Sequence, residues 1–147
     1  MARIEKTVEI KAPPEKVFAF MTSDRMNDIW GKYMEGKWMS EGPVGVGSIA
    51  HWVAKPAFKL PGEWDTEVTE FVDNRKMVMK TVEKSKLKMT TTGILEPIAN
   101  GSKTTYIEEY EVPYSVLGKL ADKLKYGKET EKFMEDVLQN LKRALET

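Results

Sequence analysis

The segment from Ser102 to Val112 places chemically capable side chains at every second position. Successive side chains of an extended strand point to opposite faces, so Thr104, Tyr106, Glu108, Tyr110 and Val112 share one face. The other face holds Thr105, Ile107, Glu109 and Glu111. Because that second face carries two carboxylates, the Tyr/Val face is assigned inward. An inward Glu108 could orient a ligand hydroxyl, or act as a general acid or base once burial raises its pKa. A Glu near a strand end can equally reach solvent or pair with a Lys or Arg. Tyr106 and Tyr110 either donate hydrogen bonds inward or pack as aromatic core. His51, the one histidine, shares parity with Ile49 and Val53. It is either an acid–base group or a packed, hydrogen-bonded residue.

The neighbouring segments repeat this mixture. Between residues 86 and 97 the inner set is Leu87, Met89, Thr91, Gly93 and Leu95. Trp64, Thr66 and Val68 form another inner set, and Met77, Met79 and Thr81 a third. A buried hydroxyl or carboxylate costs free energy unless it is paired, so apolar faces with scattered Thr, Tyr and Glu suit a roomy, partly wet cavity better than a solid core. Methionines add an adaptable lining, and they are also common core fillers.

These faces have to be positioned by recognisable elements. Residues 3–11 alternate and predict a half-buried strand in which Lys6 interrupts the apolar parity of Ile4, Val8 and Ile10. Pro13 and Pro14 stop it and open a short helix with Val17, Phe18 and Met21 as its stripe. Ser23 or Asp24 can cap a second short helix ending near Trp30 and Gly31. Strands are predicted at 33–40, 47–54, 63–73, 75–83, 86–97 and 102–112, with Asn100-Gly101 as the strongest hairpin signal. The proline-bearing stretch 55–62 is a loop carrying Phe58 and Leu60. Lysines and Arg75 make the hairpin around 75–88 basic, which suits a solvated, edge-protecting face or attraction of an anion. From Tyr114 onward Leu117, Leu120, Leu124, Met134, Leu138, Leu141 and Leu145 follow helical spacing. Gly127 and Glu131 fill the gap in that stripe, leaving either room for a ligand or a kink. Short connections make the sheet antiparallel, and the last helix is long enough to cover its buried face. The class is α+β.

Composition closes off other chemistry. The 147 residues carry 23 Lys plus Arg, 23 Asp plus Glu and no Cys. Disulfides, thiolate metal sites and cysteine nucleophiles are excluded, and a single His excludes paired-His metal motifs. No metal or organic cofactor is expected. Gly42 to Gly47 is followed by a strand and by no Lys-Ser or Lys-Thr, so it reads as turn geometry rather than a phosphate loop. Neutral net charge argues against bulk binding to nucleic acid. No apolar run reaches the ~18–20 residues of a membrane span. The charged, alternating first residues are unlike a signal peptide, and the cytoplasm is the default location. One domain, monomeric or weakly dimeric, is expected over residues 1–147.

The opening VEIKAPPEKVFAFMTS with Trp30, and the closing VPYSVLGKLADKLKYG with LQNLKRALE, resemble the polyketide cyclase/dehydratase branch of the START-like (SRPBCC) superfamily. The resemblance spans essentially the whole chain. It implies a helix-grip fold, in which a curved seven-stranded antiparallel sheet wraps a long C-terminal helix around a cavity, with two short helices between strands 1 and 2. Members bind lipids, sterols, polyketides, hormones or quinones, and some are cyclases or dehydratases. They share no universal catalytic residue, so no catalytic role transfers by motif.

Parity and resemblance together nominate Trp64, Thr66, Met77, Met79, Met89, Thr91, Tyr106, Glu108, Tyr110, Leu120, Leu124 and Gly127 as ligand-binding residues. The leading expectation is binding or transport of a small hydrophobic molecule such as a lipid, polyketide or quinone-like compound. A second is a cyclase or dehydratase with Glu108, Tyr106 or His51 as acid or base, which requires two of them to converge on one space. A third is a protein-interaction module like the heat-shock ATPase activators of the superfamily, working through the outer sheet face or the basic hairpin; a flat apolar patch there with a filled interior would favour it.

Overall fold

The computed structural model describes residues 2–57, 62–85, 87–111 and 120–146, with side chains in the last segment from Leu124 onward. Strand β1 (Ala2–Ile10) alternates in burial along its length. Pro13 and Pro14 then start helix α1 (Pro14–Met21), which buries Val17, Phe18 and Phe20. The Ser23 hydroxyl accepts from the Arg25 N–H and opens a 3₁₀ turn at Asp24–Met26. Helix α2 (Asn27–Trp30) follows at once and ends at Gly31, whose φ of 55° lies in the region that favours glycine.

Six further strands come next: β2 (Met34–Trp38), β3 (Ile49–Ala54), β4 (Glu63–Val72), β5 (Lys76–Thr81), β6 (Met89–Ile98) and β7 (Gly101–Tyr110). Helix α3 (Leu120–Glu146) runs unbroken for 27 residues, about 40 Å. Gly127 therefore marks no break. All pairings are antiparallel, in the order β1-β7-β6-β5-β4-β3-β2. This is the curled seven-stranded α+β arrangement expected from the sequence, with short helices between the first two strands. Those two strands, consecutive in the chain, form opposite edges of the sheet.

Local chemistry sets the register. Ile98 pairs with Gly101, so the β6–β7 turn is Ala99-Asn100 and the glycine belongs to the strand. A Cβ on Gly101 would lie 2.0 Å from the Ile10 carbonyl oxygen, so close approach of β1 requires glycine there. At the other edge the Asn27 amide accepts from the Gly36 N–H at 2.8 Å and donates to its carbonyl at 2.9 Å. The side chain thus supplies the partners that an edge strand lacks. In β4 the register shifts between Val68 and Glu70. A bulge reverses side-chain parity beyond it, which brings Phe71 opposite Met77 and into contact with Phe18, ring centroids 5.2 Å apart.

The core lies between the concave sheet face and α3. Phe133, Met134, Val137, Leu138, Leu141 and Leu145 are buried on the helix. Lys6 reaches Glu131 at 2.6 Å and Glu135 at 3.0 Å, which accounts for a cation on the apolar parity of β1. In the basic hairpin Lys76 pairs with Glu70 and Lys88 donates to the Glu83 carbonyl. β5 and β6 are paired on both sides, so these lysines protect no sheet edge and the expectation of an edge-protecting role is corrected to a solvated face.

Candidate functional site

The sheet and α3 do not meet flush. They leave between them a partly open cavity of about 250 Å³. Trp52 and Trp64, directly opposed on β3 and β4, form one wall with Thr66 and Met79. Met89 and Thr91 of β6 and Tyr106, Glu108 and Tyr110 of β7 form another. Tyr126, Thr130 and Phe133 of α3 close the top, and Trp30, Tyr33 and Met34 close the side towards α2.

The aromatic side is tightly interlocked. Trp30 meets Trp52 edge-on at 5.5 Å and stacks on Phe133 at 6.2 Å, while Tyr33 meets Phe133 edge-on at 4.9 Å. The Trp52 indole N–H donates to the Thr66 hydroxyl at 2.9 Å, and that hydroxyl faces the Met79 sulfur at 3.7 Å. The Tyr33 hydroxyl donates to Asp136, tying the α2–β2 connection to α3. Burial first, and the Asp136 hydrogen bond second, push the Tyr33 phenol up to about 12.

The opposite end is polar. Glu108 is 2 % exposed. Its Oε1 accepts from the Thr91 hydroxyl at 2.7 Å and its Oε2 from the Tyr106 hydroxyl at 2.9 Å. Burial pushes the Glu108 carboxyl up to about 8, against the opposing pull of those two hydrogen bonds. Burial, then the charge of Glu108, raises Tyr106 well above its ordinary value. Tyr110 is raised by burial, partly offset by a hydrogen bond with Thr130, with Glu108 and Glu131 adding to the rise. Tyr126 is raised as well, chiefly by burial. At neutral pH this end of the cavity is therefore rich in O–H groups and carries little charge.

Strand parity brings Trp64, Thr66, Met79, Met89, Thr91, Tyr106, Glu108 and Tyr110 to one cavity. Three nominated positions are placed otherwise. Met77 is buried opposite Phe71, beyond the β4 bulge, and is absent from the cavity wall. Leu124 is 60 % exposed. Nine residues of helix rotate by about 180°, so Leu124 lies on the side of α3 opposite Phe133. Gly127 is absent from the cavity wall, and a Cβ there would lie 3.8 Å from the Tyr110 hydroxyl. The side chain of Leu120 lies outside the described residues, as do Val112 and the loop positions Phe58 and Leu60.

His51 points away from this space. Trp52 turns inward, so its neighbour on β3 turns outward. The imidazole Nδ1 lies 2.6 Å from Asp65 and Nε2 lies 3.3 Å from Glu63. The Asp65 hydrogen bond raises the imidazole pKa, burial opposes it, and Glu63 adds to the rise. Among the described residues no group of three or more His, Cys, Asp or Glu is placed to hold a metal. No helix among them is long and apolar enough to cross a membrane.

The cavity residues missed at the sequence level include Trp30, Trp52, Tyr126, Thr130 and Phe133. The last three share a face of α3 through spacings of four and three, a signal masked by the more conspicuous leucine stripe.

Solved structures share this arrangement at low sequence identity. A crystal structure of TTHA0849 from Thermus thermophilus matches with a TM-score of 0.79 and 20% identity, covering 98% of this chain and 97% of that one. The solution structure of KanY protein matches with a TM-score of 0.72 and 19% identity over 100% of both chains. The Aha1 dimer from Colwellia psychrerythraea matches with a TM-score of 0.65 and 20% identity, covering 99% and 97%. No curated protein sequence matches the chain. A family model described as polyketide cyclase/dehydrase and lipid transport matches residues 1–146, and the chain belongs to that family.

Proposed function

We propose that the protein binds a small, predominantly apolar molecule in the cavity beneath α3. The observation that carries this reading is the cavity itself, about 250 Å³, with aromatic and methionine walls and a single buried carboxyl at its polar end. A dry cavity of ~150 Å³ accepts benzene, so by proportion this one suits about ten non-hydrogen atoms. The family's description, polyketide cyclase/dehydrase and lipid transport, supports hydrophobic ligand binding or cyclase chemistry in general. The test is calorimetric titration with tetralin, a bicyclic hydrocarbon of that size. Saturable one-to-one binding with a negative heat-capacity change is expected. It should be lost in Thr130→Trp, which puts an indole into the cavity from α3. Absence of saturable binding, or binding unaffected by Thr130→Trp, would refute the proposal.

One observation favours a second reading, a cyclase or dehydratase. Glu108 and Tyr106, two of the three candidate acid–base groups, converge within 2.9 Å. A protonated Glu108 could give its proton to the leaving hydroxyl, and the carboxylate so formed take the α-proton, so that water departs and the acid is restored. Conversion of a β-hydroxyketone of similar size to enone and water, abolished in Glu108→Gln, would favour enzyme over carrier. The interaction-module reading, which favoured a filled interior, is the least supported of the three.

A further inference from the structure

We infer that the polar end of the cavity recognises a hydrogen-bond acceptor, such as a ketone, quinone or ester oxygen, through one surplus O–H of the Glu108–Tyr106–Thr91 cluster, and loses this preference when the cluster loses a proton. The inference rests on the ligand-binding reading above and specifies the ligand's polar group.

The argument is a count of hydrogens. Three oxygen-bearing side chains are joined by two hydrogen bonds, Thr91 to Glu108 at 2.7 Å and Tyr106 to Glu108 at 2.9 Å. With Glu108 ionised the cluster owns two O–H hydrogens, and both are consumed internally. With Glu108 protonated it owns three. Two satisfy the same internal contacts and one is left over. The carboxylic O–H can donate to the Thr91 or Tyr106 oxygen, turning that hydroxyl's own hydrogen outward. A buried donor left without an acceptor costs free energy, so a ligand oxygen that accepts it is selected.

The surroundings keep the neutral cluster favoured. Glu108 is flanked by Tyr106 and Tyr110 on its own strand and by Thr91 on β6, while its partner on β1 is the apolar Ile4. From α3 the cavity is faced by Tyr126, Glu129, Thr130 and Lys132, and from the α2–β2 connection by Lys32 and Tyr33. Lys32 lies over the Tyr33 ring, Lys132 is held near Asp136 at 3.8 Å, and Lys6 of β1 is engaged by Glu131 and Glu135. No cation among the described residues forms a salt bridge with Glu108. The carboxyl, raised to about 8, is the group that changes state near neutral pH, whereas burial keeps the surrounding phenols protonated.

The experiment compares 1-tetralone with tetralin, the same bicycle with and without a carbonyl, by calorimetric titration at about pH 6.5 and about pH 9.5. At the lower pH tetralone should bind about 5- to 10-fold more tightly than tetralin, the return of one net hydrogen bond. At the higher pH that preference should vanish while tetralin affinity stays level. Glu108→Gln, whose carboxamide keeps donor hydrogens at both pH values, should retain the preference throughout. Equal binding of the two probes at the lower pH, or a preference that ignores pH in the wild type, would overturn the inference and leave the cavity reading standing. Failure of both probes to bind would overturn both.

Discussion

Replacing Glu108 by Gln should change the pH dependence of stability more than any other conservative substitution in the cavity. The folded carboxyl titrates at about 8 against an ordinary value of 4.5. Folding thus disfavours the ionised form. The associated stability is fully present below the ordinary value and is lost as pH rises through the folded one. At 1.36 kcal/mol per pH unit, the rise from 4.5 to about 8 corresponds to a few kcal/mol lost across that window, a large share of a domain's stability that still leaves the protein folded. The substituted carboxamide keeps the side-chain volume, can still accept from Thr91 or Tyr106, and does not ionise. Urea unfolding followed by tryptophan emission, at unit steps between about pH 5 and 9, measures both proteins. The variant's advantage should widen by about 1.4 kcal/mol per pH unit from pH 5 to 8 and then level off. Titrations of His51, Lys6 and Glu146 occur in both proteins and cancel in the difference. A gap that stays constant with pH would refute the reasoning, because it would mean that burial does not oppose ionisation of Glu108.

Two further outcomes are expected. His51 should titrate above 6.5 in a proton NMR experiment, and Asp65→Asn should lower it more than Glu63→Gln, following the shorter contact. Because the folded value is raised, the stability it confers is present below 6.5 and is lost as pH rises through the folded value, so Asp65→Asn should cost most in acid. Gly36→Ala should destabilise by about 1–3 kcal/mol in the same urea assay. The added Cβ would lie 2.3 Å from a Trp52 ring that Thr66 and Trp30 hold in place. A change too small to resolve would show that the ring moves freely.

Much of the site was legible because a strand's period is two. Once Glu109 and Glu111 assigned the outward face of β7, the positions of Tyr106, Glu108 and Tyr110 followed, and the cross-strand partner Thr91 with them. The helix was harder. Met134 to Leu145 set its buried face, but at 3.6 residues per turn that phase does not carry back to Leu124, and Tyr126, Thr130 and Phe133 form the face over the cavity. Parity alone also left open which way His51 turned, and the bulk of Trp52 decided it. Beyond Val68 no residue type announces the β4 bulge that sets Phe71 against Phe18 and opposite Met77. Trp30 and Trp52 read as scaffold because a sequence does not distinguish a ring that fills a core from one that borders empty space.

Joining β1 to β7 alone has a cost in time. Strand β1 leaves the ribosome long before its hydrogen-bonding neighbour β7, with Ala2 beside Tyr110 and Ile10 beside Ser102 in the finished sheet. At ~5–20 residues per second the ribosome needs roughly 5–20 s to make the chain between them. For that interval an alternating segment of high β propensity waits unpaired, open to mispairing with other nascent chains. Lys6 interrupts its apolar side at the centre, and its counter-charges, Glu131 and Glu135, are translated later still. The same ammonium that anchors the finished helix can therefore guard the strand while it waits.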